Sequence, residues 1–248
     1  MTVCVGICSE EGAVLAADSK ITYGNKHQTY GPKITHIGNR KFCVGLAGAG
    51  YKDLMDEGFQ EIRDGLDPLT KPTEDKIRKN IKKTMALLAG LYPDEIKEQE
   101  WLCVISSPPS TVGLTRFWKH IPVPNEELAI IGCGKDSVTD HLASWVTKKP
   151  RSNAEALRWA IFLIMQASQF VPGCGGPINA LVFTPNGKVD ERSVKETAQI
   201  EAELKELHSE LSDVFQRVMI AKPNKSEADM ALRAFGERVK RIISENNT

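Results

Sequence analysis

Apolar positions in the first fifty residues fall in short runs, not in a helical stripe. Residues 3–8 and 12–17 are two such runs, with the turn sequence Ser9-Glu10-Glu11-Gly12 between them, which predicts a hairpin. Residues 20–32 are polar, carry Gly24, Asn25, Gly31 and Pro32, and read as a loop with one short strand. Residues 33–37 alternate and predict a third strand. Past the Gly38-Asn39 turn, residues 42–46 predict a fourth, which runs into Ala47-Gly48-Ala49-Gly50.

The period then changes. Leu54, Met55, Phe59, Ile62 and Leu66 recur at helical spacing up to the Asp67-Pro68 break. Thr73 is placed to cap a second helix, whose apolar side is Ile77, Ile81, Met85, Leu87 and Leu88, with Pro93 just beyond its end. Strand character returns at 101–106, 111–118 and 127–131, helical character at 136–147 and 153–169, and a last strand at 178–183 precedes the turn Pro185-Asn186-Gly187. Helices come in groups and do not alternate singly with strands. That order predicts an α+β fold of antiparallel sheets covered by helices, not a parallel βαβ sheet.

The last fifty-odd residues differ. Ile200, Leu204, Leu207, Leu211, Val214 and Val218 step by fours and threes. Pro223-Asn224 breaks the pattern, Ser226 and Asp229 resemble a capping box, and Leu232, Phe235, Val239 and Ile242 resume the stepping. This predicts a helical hairpin over 191–248, appended to a domain of 1–190. Its stripes pack on each other or the core, or else on another subunit; the first reading is favoured, because about three heptads per helix are satisfied within a self-packed hairpin.

Composition adds exclusions. The 248 residues are 41% hydrophobic and 26% charged, enough to bury a core. Lys plus Arg and Asp plus Glu balance at 32 each, which argues against a nucleic-acid or membrane partner found by bulk charge. Neither a secretory signal nor a membrane-spanning apolar run is visible. Cys4, Cys8, Cys43, Cys103, Cys133 and Cys174 are scattered without a CxxC spacing, and read as reduced thiols of a cytoplasmic protein, not a disulfide framework or zinc site.

The first residues carry candidate chemistry. Methionine aminopeptidases remove Met1 before a small residue such as Thr2. Thr2 would then hold a hydroxyl and a free α-amine, whose ordinary pKa of about 7.7–8.0 lets it serve as the base for its own hydroxyl. Such a site needs a cation near the amine, a carboxylate to orient that cation, and N–H groups facing an oxyanion. Asp18, Lys33 and Gly48 follow in that order at predicted strand ends. On residue type alone, Asp18 and Lys33 read equally as a structural ion pair, Gly48 as a tight turn, and Thr22 as a loop hydroxyl. Cys4 is a rival nucleophile by position, but it alternates with Val3 and Val5 as a strand residue.

Thr2 with its apolar strand, then Gly12-Ala13-Val14-Leu15-Ala16-Ala17-Asp18-Ser19-Lys20, Thr22, Gly24, Lys33-Ile34 and Gly45-Leu46-Ala47-Gly48, resembles a proteasome β-subunit. It is similar also to the peptidase subunit of the bacterial two-component ATP-dependent protease. Ile130-Ile131-Gly132-Cys133-Gly134 and Gly173-Cys174-Gly175-Gly176 resemble two later family segments, so the likeness covers about residues 2–190. The resemblance implies a four-layer αββα sandwich of the N-terminal-nucleophile hydrolase type. It implies Thr2 as nucleophile, Lys33 with Asp18 tuning the site, Gly48 N–H at the oxyanion, Thr22 binding substrate backbone, and Cys133 where the family has the serine that supports the amine. No cofactor or metal is implied. The partners implied are a peptide or unfolded protein as substrate, further copies of the chain in a ring, and an ATPase or regulator of unknown kind.

Three positions depart from the family pattern. Cys133 and Cys174 stand where it has serines, and Val171 where it has an aspartate. A thiol is a weaker hydrogen-bonding group than a hydroxyl, and valine offers none. Three functions therefore stand side by side: a threonine-type peptidase, an amidase or transacylase using the same ester, and a non-catalytic subunit of a proteasome-like assembly.

Overall fold

The computed structural model describes residues 2–23, 27–39, 42–66, 72–106, 112–118, 121–124, 126–133, 149–216, 218 and 225–245. Their contacts fall into two compact units, Met1–Ala198 and Gln199–Thr248.

The first unit holds two five-stranded antiparallel sheets. In one, β1 (Val3–Ser9) and β2 (Gly12–Asp18) form the expected hairpin, flanked by β10 (Leu128–Gly132) on one side and by β11 (Ile178–Phe183) and β12 (Val189–Arg192) on the other. The other runs β5 (Ile34–Asn39), β6 (Phe42–Ala49), β7 (Glu100–Ser106), β8 (Gly113–Trp118) and β9 (Ile121–Pro124). Every residue of β1, β2 and β6 is buried. Strands covered on both faces carry continuous apolar runs in place of alternation, as these do.

The inner faces of the sheets share one core. Cys4, Leu15, Ala17 and Leu181 of the first sheet cluster with Ala47, Leu102, Val104 and Leu114 of the second. The approach is close: a Cβ on Gly45 would lie 2.1 Å from the Phe183 ring, so only glycine lets that ring lie against β6. A second core lies between the β5–β9 sheet and two helices, α1 (Lys52–Leu66) and α2 (Glu74–Leu91). There Trp101 is 1% exposed and meets Phe59 edge-on at 5.1 Å. Trp101→Ala would cost about 3–5 kcal/mol. The Thr73 hydroxyl caps α2 by accepting from the Lys76 N–H. A third helix, α3 (Asn153–Phe170), packs on β1, β2 and β11, burying Ala156, Ala160, Ile161 and Ile164.

The reading of 20–32 as a loop with one short strand is corrected. Two four-residue strands, β3 (Lys20–Tyr23) and β4 (His27–Tyr30), pair as a separate ribbon. The predicted fourth strand extends to Ala49, because the small residues after Leu46 continue the ladder with β7. The predicted helix over 136–147 lies outside the described residues.

Two further helices, α4 (Val194–Phe215) and α5 (Lys225–Glu245), follow. Thr197, at the start of α4, is buried and donates to the Ile178 carbonyl at 2.8 Å. Within the second unit, Arg238 of α5 pairs with Glu206 and Glu210 of α4. Ile200, Leu204, Leu207 and Val214 are half-buried, whereas Leu211 and Leu232 remain about half exposed. Lys225 already lies in α5, so Ser226 is inside the helix and not its cap.

Candidate active site

Sheet register places the site. Val3 lies opposite Gly132 and Ile178 opposite Asp18, so Thr2, the end of β2 and the segments bearing Cys133 and Cys174 converge at one end of the first sheet's strands. Lys33 immediately precedes β5 and reaches them from the second sheet.

Asp18 is the hub. It is fully buried, and its Oδ1 accepts from the Val3 N–H and from Lys33 Nζ, each at 2.9 Å. Its Oδ2 accepts from the Gly175 N–H at 3.0 Å. Three donors satisfy a carboxylate that would otherwise be costly to bury. Lys33 is 2% exposed, and sharing Asp18 Oδ1 with Val3 N–H sets its ammonium beside the Thr2–Val3 peptide.

Thr2 is 6% exposed. Its nitrogen, an amide while Met1 is attached, donates to Cys133 Sγ at 3.3 Å. Cys133 Sγ returns a bond to the Thr2 carbonyl at 3.5 Å and lies 3.5 Å from Cys174 Sγ. The sulfur–sulfur hydrogen bond lowers the Cys133 pKa and raises that of Cys174: the pair gives up its first proton readily and its second reluctantly. Gly132 makes this approach possible. It has φ +92°, and a Cβ there would lie 2.1 Å from the Thr2 oxygen. The Gly132 N–H is held by Glu100 Oε2 at 2.8 Å.

A cavity of about 870 Å³ opens over these groups, lined among others by Thr2, Thr22, Lys33, Gly48, Met55 and Cys133. The sequence candidates Thr2, Thr22, Lys33, Gly48 and Cys133 thus share one cavity, with Asp18 bonded behind it. The Thr22 hydroxyl is buried and finds no hydrogen-bond partner among the described residues. The same cavity is lined by Asp53, Glu57, Glu95, Glu98 and Glu100. Its lysines, Lys33 and Lys52, are paired with Asp18 and Asp56. Sequence reasoning missed this acidic wall, because its members come from α1, the turn after α2 and the start of β7, with no common spacing.

One expectation meets a qualification. The Gly48 N–H, assigned to the oxyanion, donates to the Lys33 carbonyl at 3.1 Å and so continues the β5–β6 ladder. Val171 caps α3, with its N–H bonded to Ala167 O and its carbonyl accepting from the Cys174 N–H, so its side chain brings no polar group to the amine. Cys4, the positional rival, is fully buried, and its thiol donates to the Gly48 carbonyl. Burial drives its pKa far up, which leaves it a poor nucleophile.

The family model described as proteasome subunit matches residues 2–50, the stretch that supplies Thr2, Asp18, Lys33 and Gly48. The chain has a proteasome-like fold. Anbu (ancestral beta-subunit) from Yersinia bercovieri superposes with a TM-score of 0.74 at 13% identity, over 87% of this chain and 97% of that one. An Anbu Gly-1 mutant from Hyphomicrobium sp. strain MC1 gives 0.73 at 13% identity, over 86% and 99%. The helical assembly of the Anbu complex from Pseudomonas aeruginosa gives 0.70 at 15% identity, over 90% and 99%. No curated protein sequence matches. Among the described residues, no helix is long and apolar enough to cross a membrane, and no His, Cys, Asp and Glu group is arranged to hold a metal ion.

Proposed function

We propose that this chain is a threonine-type peptidase that cuts peptide bonds through an acyl ester on Thr2 after Met1 is removed. The observation that carries this reading is the shared Asp18 Oδ1, which holds the Lys33 ammonium and the Val3 N–H together under Thr2. A cation there disfavours protonation of the Thr2 amine, so the amine stays a competent base near neutral pH.

The amine takes the Thr2 hydroxyl proton as Oγ attacks the scissile carbonyl, and returns it to the leaving amine. Water then hydrolyses the ester with the same amine as base. Cys133 holds the amine through the contact it now makes with the Thr2 nitrogen. Thr22, whose hydroxyl has no partner among the described residues, binds substrate backbone as an added strand. Gly48 meets the oxyanion only by sharing its N–H with the Lys33 carbonyl.

The same reading takes residues 1–190 as a four-layer αββα hydrolase domain and 191–248 as a helical hairpin extension. It places the protein in the cytoplasm, as a homo-oligomeric ring acting on peptides or unfolded proteins. A second reading, a non-catalytic subunit, is favoured by the engaged Gly48 N–H and by valine at 171. Turnover of a fluorogenic peptide library by the purified protein and by Thr2→Ala separates the two. Cleavage abolished in Thr2→Ala supports the peptidase; cleavage absent from both proteins supports the second reading, and cleavage unchanged in the variant rules out Thr2 as the nucleophile.

A further inference from the structure

Six cysteines are present, and two of them stand apart from the rest. Cys4, Cys8, Cys43 and Cys103 are buried strand residues, and burial raises the pKa of each thiol. Cys133 is half-exposed and lines the cavity, whereas Cys174 is 4% exposed and lies against it. Their sulfurs are 3.5 Å apart across 41 residues of sequence.

We propose that Cys133 and Cys174 are a redox pair that closes to a disulfide under a hydroperoxide and thereby switches the Thr2 site off. The switching rests on Thr2 being the nucleophile; the disulfide does not.

The geometry asks little. A disulfide has an S–S bond of about 2.05 Å, so the sulfurs need approach by about 1.5 Å. Both sit on turns next to glycine. Cys133 follows Gly132, and Cys174 is followed by Gly175 and Gly176, with φ of +134° and +80°. The roles divide by exposure. The Cys133 sulfur, reachable from the cavity and the more acidic of the two, attacks the hydroperoxide. An S–O bond forms, the O–O bond breaks, and an alcohol (water, from hydrogen peroxide) leaves with the thiol proton. The Cys174 sulfur then attacks Cys133: the S–S bond forms, the S–O bond breaks, and water leaves with the Cys174 proton. Two thiols lose two electrons in all, and the hydroperoxide gains them.

The consequence reaches Thr2 directly. Cys133 Sγ now accepts from the Thr2 nitrogen and bonds the Thr2 carbonyl. In the disulfide it has no proton to give, and it is drawn toward Cys174 and off the nitrogen. A misplacement of about 1 Å at a reacting group costs about 10²-fold in rate.

The test treats the full-length protein with hydrogen peroxide, alkylates remaining thiols, and maps peptides by mass. In parallel it measures labelling of Thr2 by a peptide epoxyketone, which needs both the hydroxyl and the free amine. Expected are a Cys133–Cys174 cross-link lacking two hydrogens, reversal by dithiothreitol, and labelling about 10²-fold slower while oxidised. In Cys174→Ser, oxidation stops at a Cys133 sulfenic acid that dimedone traps. Cys133 driven to sulfinic acid in the wild type with Cys174 still alkylated, or labelling unaffected by the cross-link, overturns the proposal. If the reduced protein never labels on Thr2, the peptidase reading fails and the switch with it, whereas the mapped disulfide stands on its own.

Discussion

Lys33 Nζ lies 2.9 Å from Asp18 Oδ1, and both side chains are almost completely buried. Such a pair contributes little net stability, but breaking it on one side leaves a buried charge uncompensated. Lys33→Met is therefore expected to lower unfolding stability by about 3–5 kcal/mol. Adding Asp18→Asn should recover part of that loss. If the pair serves only the fold, labelling of Thr2 recovers with it. Labelling is expected to stay lost, because the cation is gone. Urea unfolding and epoxyketone labelling of the three proteins decide the matter.

Gly132→Ala probes the turn under Thr2. The added Cβ meets the Thr2 carbonyl oxygen, and φ of +92° is strained for alanine. Strain of about 1–3 kcal/mol is expected, with Thr2 labelling lost well before the fold is. Labelling at the wild-type rate would mean that the Thr2–Cys133 arrangement does not matter to the chemistry.

Stability should fall in alkali. The Cys4, Cys43 and Cys103 thiols have pKa values raised by burial, that of Cys43 to about 12. A folded pKa above the unfolded one gives stability that is complete below the unfolded value, here 9.0, and lost as pH rises toward the folded one. Above pH 9, each such thiol removes about 1.4 kcal/mol per pH unit, because the unfolded chain binds fewer protons than the native one. Urea midpoints between pH 8 and 11 should therefore decline, less steeply in Cys103→Ala measured against its own value at pH 8.

On the proposed peptidase reading, the acidic wall predicts a substrate preference. Asp53, Glu57, Glu95, Glu98 and Glu100 line the cavity, while its lysines are paired. Peptides with lysine or arginine near the scissile bond should be cut with kcat/KM about tenfold above their glutamate counterparts, and salt should erode the ratio. Paired peptide substrates at low and high ionic strength provide the measurement. An equal or inverted ratio at low salt contradicts the prediction.

What the sequence disclosed follows from which contacts are local. β1, β2 and β6 were legible because strands buried on both faces must be continuous apolar runs. α1 and α2 showed their stripe, and Thr73 its cap. Of the β3–β4 ribbon only one short strand was legible, since residues 20–32 are mostly polar and carry turn residues that read as a loop. β9 carries Pro122 and Pro124, which weigh against a strand except at an edge, where it lies. β12 is a charged edge strand with the same concealment.

In the site, Thr2, Asp18, Lys33 and Gly48 could be named because they fall in order in one stretch of sequence that resembles a proteasome β-subunit. The Glu100 bond to Gly132 and the Cys133–Cys174 contact join residues far apart, so only the packing of the two sheets and the Gly173–Gly176 turn reveals them. The Gly48 N–H could not be judged from residue type. Its bond to Lys33 depends on ladder register, which a glycine in the sequence does not disclose.

The most direct test of the central claim is the intact mass of the purified protein after incubation with a peptide epoxyketone. Expected is a chain lacking Met1 that carries one probe, mapped to Thr2, and no label on Thr2→Ala. A retained Met1, or labelling undiminished in Thr2→Ala, would contradict it.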